Sequence, residues 1–103
     1  DGGRMNQVMQ FLLENRFQKI TLDRAASAAN LSKEAFCRFF KLRTRKTFTQ
    51  YLIQLRINEA QKLLQETEMG ISEIAFQVGF ENLSYFNRSF KTIVGISPRV
   101  FRK

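Results

Sequence analysis

The sequence repeats itself. The stretch LDRAASAANLSKEAFCRFFK from Leu22 aligns with ISEIAFQVGFENLSYFNRSFK from Ile71 once a single residue is added to the turn of the second copy. Ala26 then matches Ala75, Asn30 matches Gly79 and Leu31 matches Phe80; beyond the insertion, Phe36, Arg38, Phe40 and Lys41 match Phe86, Arg88, Phe90 and Lys91. Each copy has a short helical period, a tight turn and a second helical period. A small alanine in the first helix lets the second cross it closely. Gly79 and Asn30 are residue types that reach positive φ at low cost, as a short inter-helix turn requires. The pattern specifies a helix-turn-helix, present twice.

The rest of the chain is helical too. With one proline, few glycines and no period-two alternation, an all-α fold of about seven helices is expected. Met5, Val8, Met9 and Leu12 recur at helical spacing for a first helix. Thr21 and Ser32 can cap the two helices of the first motif, with Asp23 in a first turn that favours a negative charge. Thr47 with Gln50 is a capping-box pattern opening a long helix, whose stripe of Phe48, Leu52, Leu55, Ala60, Leu63 and Leu64 runs to about Glu66, where Gly70 breaks it. Asn82 can cap the second helix of the second motif, and Ser97 with Pro98 suits the N-cap and first position of a last short turn. The organisation expected is a first subdomain over 1–46, a linker helix over 47–66 and a second subdomain over 67–103. The opening DGG reads as linker, which suggests a domain of a longer protein.

At 103 residues and 44% hydrophobic side chains, the chain can bury one ordinary core or two very small ones that share an element. Seventeen Lys and Arg against nine Asp and Glu leave +8, a balance that favours a polyanionic partner such as nucleic acid or an anionic membrane surface. Histidine is absent and cysteine occurs once. No nucleophile–base pair, Cys/His metal set or internal disulfide can then be assembled, and no catalytic residue, metal or cofactor is expected. The longest apolar runs, FLL and YLI, fall far short of the ~18 residues of a membrane span. No membrane partner is expected, and a reducing, cytoplasmic setting fits.

On the segments TFTQYLIQLRINEAQKLL, ISEIAFQVGFENLSYFNRSFK and GISPRVFRK, the sequence resembles the C-terminal DNA-binding domain of AraC/XylS-type bacterial transcription regulators, over nearly everything from Val8 to Arg102. The resemblance implies two helix-turn-helix subdomains joined by a long helix, each placing its second helix in the major groove of double-stranded DNA. It also implies a separate N-terminal domain that senses a ligand and carries any dimerisation, the fragment itself being monomeric, and RNA polymerase as an added partner. Glu66, Glu68 and Glu73 are candidate polymerase contacts. One departure stands out: the family commonly has Thr-Gly where this chain has Thr44-Arg45. Left-handed backbone costs an arginine ~1–2 kcal/mol, so a different local turn is expected there, with Arg45 and Lys46 near the phosphates.

On the expected reading helices, about 33–42 and 83–93, Phe36, Phe39 and Phe40 face inward in the first, and Leu83, Phe86, Phe90 and Ile93 in the second. That leaves Lys33, Glu34, Cys37, Arg38 and Lys41 outward in one, and Ser84, Tyr85, Asn87, Arg88 and Lys91 in the other. The chemistry available for base reading is Arg38 and Arg88 as paired donors to guanine, Asn87 to adenine, Glu34 as acceptor from cytosine, Ser84 to either, and Tyr85 or Cys37 against thymine methyls. Ser32, Lys33, Asn82, Lys41, Lys91, Arg43, Arg45, Lys46 and Arg99 are the expected phosphate contacts. For each reader the alternative is an ordinary solvated surface, and for Cys37 a small half-buried filler. Arg56 is expected to pair with a carboxylate such as Glu59 or Glu73 rather than with DNA, and the phenylalanines to form the core.

A linker of about twenty residues spans ~30 Å, close to the ~34 Å between major-groove faces one turn apart. The function expected is therefore sequence-specific binding across two successive grooves. The alternative is a non-sequence-specific nucleic-acid or protein-interaction module. An RNA platform would need exposed aromatics and a membrane-surface helix an unburied apolar face, and neither pattern is present.

Overall fold

The computed structural model describes residues 2–103, which form seven α-helices and no strand. Contacts divide the chain into two compact units, Asp1–Leu52 and Ile53–Lys103. The first holds α1 (Gly2–Asn15), α2 (Leu22–Ala28), α3 (Lys33–Thr44) and the opening turn of α4 (Phe48–Glu66). The second holds the remainder of α4, then α5 (Ile71–Gln77), α6 (Leu83–Val94) and α7 (Pro98–Arg102). Of the opening DGG, Asp1 lies outside the described residues, while Gly2 and Gly3 belong to α1 and not to a linker.

The starts of α2, α3, α4, α6 and α7 follow from a side chain that can accept an otherwise orphaned backbone N–H. Thr21 Oγ1 accepts from Arg24, Ser32 Oγ from Ala35, Asn82 Oδ1 from Tyr85 and Ser97 Oγ from Val100. At α4 the capping box is reciprocal: the Gln50 N–H donates to Thr47 Oγ1 at 3.1 Å, and Gln50 Oε1 accepts the Thr47 N–H at 3.0 Å.

The two turns are the same device. Asn30 (φ 56°) and Gly79 (φ 105°) both take positive φ. In one copy Leu31 N–H donates to Ala26 O at 3.0 Å and Asn30 N–H to Ser27 O; in the other Phe80 N–H donates to Ala75 O at 3.0 Å and Gly79 N–H to Phe76 O. These paired long and short bonds close the first helix of each motif and fix the angle at which the second leaves.

The structural repeat runs further than the sequence alignment. α3 ends at Arg45 and α6 at Gly95, both left-handed, and the next caps are Thr47 and Ser97. Arg45 (φ 67°, ψ 10°) thus keeps the turn that the Thr-Gly departure was expected to change. Phe40 meets Tyr51 edge-on at 5.4 Å, as Phe90 meets Phe101 at 5.5 Å. α7 is therefore the second copy's counterpart of the opening of α4.

Both cores are aromatic. Phe36, Phe40 and Phe48 pack mutually in the first unit, and Phe80, Phe86 and Phe90 form a continuous run in the second, with centroids 5.2–5.8 Å apart. Small and aliphatic residues fill in around the rings: Ala25 and Ala26 on α2 and Ala75 on α5 are buried, and Val8, Leu12, Ile57, Ile74 and Val78 are fully buried. α4 stops at Glu66, before Gly70. Its last carbonyls are taken by Thr67 Oγ1 (to Leu63 O, 2.7 Å) and by the Arg102 guanidinium, which donates to Leu64 O and Thr67 O. Gly70, at φ −65°, instead precedes α5 as its N-cap.

Candidate nucleic-acid interface

With Phe36 and Phe40 fully buried on one side of α3, and Phe86 and Phe90 on one side of α6, the helical period sends the intervening residues to solvent. Lys33, Glu34, Cys37, Arg38 and Lys41 on α3 are all exposed, as are Ser84, Tyr85, Asn87, Arg88 and Lys91 on α6. Ser32, Arg43, Arg45, Lys46, Asn82 and Arg99 are exposed as well. No polar or charged residue is buried among those described.

Ser32 and Asn82 have their oxygen atoms engaged at helix starts, which leaves the Ser32 hydroxyl proton and the Asn82 amide group to donate elsewhere. The Arg43 guanidinium lies 4.9 Å from the Phe39 ring centroid, and that of Arg88 lies 5.8 Å from the Tyr85 ring. Beside α3, Leu22, Leu42, Phe48, Thr47 and Thr49 line a depression of about 680 Å3 that also carries Cys37, Arg38 and Lys41.

Four expectations need correction. Leu83 and Ile93 are each 37% exposed, not core: period assigns them to the inward side of α6, but they sit at its two ends, outside the reach of the buried Phe86–Phe90 centre. Phe76, on α5, is 56% exposed, an exception to the rule that the phenylalanines form the core. Phe39 is only partly buried. For Arg56 the carboxylate whose charge acts on the guanidinium is Glu81, which the sequence reading did not name; burial lowers the pKa of the guanidinium, while the Glu81 charge and Tyr85 oppose that shift. Glu81 is the residue inserted in the second turn, and no spacing within α4 could point to it.

Leu42, at 78% the most exposed large apolar residue among those described, is one that sequence reasoning passed over. Its signal was its place off the Phe36/Phe40 stripe, next to Lys41 and Arg43. Among the described residues no group of His, Cys, Asp or Glu could hold a metal ion, and no helix is long and apolar enough to cross a membrane.

A family model described as a helix-turn-helix domain matches residues 25–103. A transcriptional regulator from Chromobacterium violaceum, described as containing an AraC-type DNA-binding domain, superimposes with a TM-score of 0.87 at 25% identity, over 98% of this chain and 90% of that one. The chain is an AraC-family helix-turn-helix domain. This AraC-family domain is also 35% identical to the HTH-type transcriptional regulator YdeC of Bacillus subtilis over 97% of its length, and spans 34% of that protein. The DNA-binding domain of the global transcriptional factor AdpA, solved with a target DNA, matches with a TM-score of 0.90 at 27% identity, over 96% of this chain and 89% of that one.

Proposed function

We propose that this AraC-family domain is the sequence-specific double-stranded DNA-binding part of a cytoplasmic bacterial transcription regulator, with α3 and α6 as its two reading helices. The observation that carries this is the repeated outward face: Arg38 and Arg88 are exposed at equivalent positions of two helices whose inward residues are buried phenylalanines. A purely structural repeat would require only the inward residues to agree.

In this reading Arg38 and Arg88 donate to guanine O6 and N7, Asn87 pairs with adenine, Glu34 accepts from cytosine N4 and Ser84 adapts to either. Cys37, with the apolar lining that includes Leu42, suits a thymine methyl. Ser32, Lys33, Lys41, Arg43, Arg45 and Lys46 hold phosphates around the first helix, and Asn82, Lys91 and Arg99 around the second. α4, 19 residues long and about 28 Å from end to end, supports two successive major grooves as the target of one chain. The role is binding rather than catalysis. RNA polymerase, approached through Glu66, Glu68 and Glu73, is a further partner, and a monomeric state fits this domain.

Selection of bound duplexes from a random pool tests the reading. The expected product is an asymmetric site with two conserved blocks about one helical turn apart, protected by one chain. No enrichment, or two chains per minimal site in sedimentation, would overturn it.

A further inference from the structure

The two reading helices differ in how firmly each holds its arginine. Three residues before Arg88 stands Tyr85; at the same register before Arg38 stands Ala35. The Arg88 guanidinium carbon lies over the Tyr85 ring, 5.8 Å from its centroid. The ring in turn is fixed from behind. It stands edge-on to Phe80, with centroids 5.6 Å apart and planes at 67°, and Phe80 is 3% exposed and meets the fully buried Phe86 at 5.2 Å. The Tyr85 backbone is anchored as well, its N–H donating to Asn82 Oδ1 at 2.8 Å. A line of rings therefore runs from the core of the second unit to the Arg88 guanidinium. In the first copy the matching positions hold Leu31 and Ala35, neither of which has a ring.

We propose that Tyr85 is a positioning residue for Arg88, not a base reader, and that it makes the second motif the more stringent of the two. The proposal rests on the reading that Arg88 contacts a base. A free arginine must give up rotamer freedom to bring both donors onto a guanine edge, and that loss weakens discrimination. A guanidinium held over a ring keeps its in-plane N–H donors available while its rotamers are already restricted. At an exposed site such a contact corresponds to a factor of roughly two to five in an equilibrium constant. Arg38, without it, is expected to tolerate more bases in its half of the site.

The test uses the 103-residue chain, the duplex recovered by selection, and single-base variants of each half. Arg88→Ala is expected to erase the preference at one base position of one half. Tyr85→Leu should reduce the preference at that same position by roughly two- to fivefold and leave other positions alone. Tyr85→Phe, which keeps the ring, should behave as the unsubstituted chain, and Tyr85→Leu added to Arg88→Ala should cost nothing more. A Tyr85→Leu effect at a base that Arg88→Ala leaves untouched would mean that Tyr85 reads its own base, and equal losses in Tyr85→Phe and Tyr85→Leu would assign the effect to the hydroxyl. Unchanged preference in Tyr85→Leu, beside a changed one in Arg88→Ala, would remove the positioning role alone. If Arg88→Ala alters no preference, the base-reading assignment itself falls, and the positioning role with it. A measurement without DNA guards against a Tyr85→Leu chain that does not fold: in the NMR spectrum of the unsubstituted chain, the Arg88 δ protons should resonate upfield of those of Arg38, shielded by the ring. Equal shifts would overturn the proposal.

Discussion

Arg45 ends α3 in the same left-handed conformation in which Gly95 ends α6, and each donates its N–H, at 2.8 Å, to the carbonyl four residues back, Lys41 in one copy and Lys91 in the other. An L-residue there costs about 1–2 kcal/mol, whereas glycine costs about 0.5–1 kcal/mol through the greater freedom of the unfolded chain. Arg45→Gly should therefore stabilise the domain by about 0.5–1 kcal/mol, raising Tm by about 2–8 °C. A Cβ added at Gly95 would meet nothing within 4 Å, so Gly95→Ala should lose about 1 kcal/mol to backbone strain alone. Thermal unfolding of both variants checks the pair. If Arg45 is a phosphate clamp, Arg45→Gly should also weaken DNA binding, gaining fold stability while losing function.

Asn82 allows the cap to be separated from the interface. Asn82→Ala removes the acceptor for the Tyr85 N–H and should cost about 1 kcal/mol of stability. Asn82→Asp keeps the acceptor, since aspartate is an equally good N-cap, but sets a negative charge where a phosphate is expected. Its unfolding curve should stay close to that of the unsubstituted chain while its DNA affinity falls. Unimpaired DNA binding by Asn82→Asp would remove Asn82 from the interface.

Arg102 is expected to matter for stability and not for binding. Its guanidinium donates to Leu64 O at 3.2 Å and Thr67 O at 3.3 Å, tying α7 to the end of α4. Arg102→Ala should cost about 1–2 kcal/mol in urea unfolding. Arg102→Lys should recover little, because an ammonium lacks the planar fork that reaches two carbonyls at once.

Salt dependence separates clamps from readers. About five to eight phosphate contacts correspond to a log–log slope of affinity against salt of roughly −4.5 to −7. Lys41→Ala and Lys91→Ala should each weaken all duplexes alike and reduce that slope by about one unit. Arg38→Ala and Arg88→Ala should each cost about 1–3 kcal/mol on the selected site and relax preference in only one half of it. A slope near zero would contradict the electrostatic reading, and an arginine variant that shifts both halves equally would contradict one motif per groove.

What the sequence determined by itself is what neighbouring residues decide among themselves. The caps at Thr21, Ser32, Thr47, Asn82 and Ser97 were legible because a side-chain oxygen reaches an N–H within three residues, whatever the rest of the chain does. Positive φ at Asn30 and Gly79 was legible for the same reason, and with it the two motifs and the all-α fold. The outward faces of α3 and α6 followed from period and from the buried phenylalanine pairs.

Tertiary structure decided everything that needs a second element. Period gives a side chain its direction, but burial requires another helix to cover that turn, so Leu83, Ile93 and Phe76 stayed exposed against expectation. The charge of Glu81 came to act on Arg56, and Arg102 took carbonyls at and just beyond the end of α4, at separations where spacing carries no signal. Arg45 shows the same limit from the other side. Local preference argued for a different turn, yet the αL turn forms, ending α3 at Arg45 and leading into the Thr47 cap of α4, where Phe48 packs against Phe36 and Phe40. A core of that size can hold one residue in a conformation that its own side chain disfavours by about 1–2 kcal/mol.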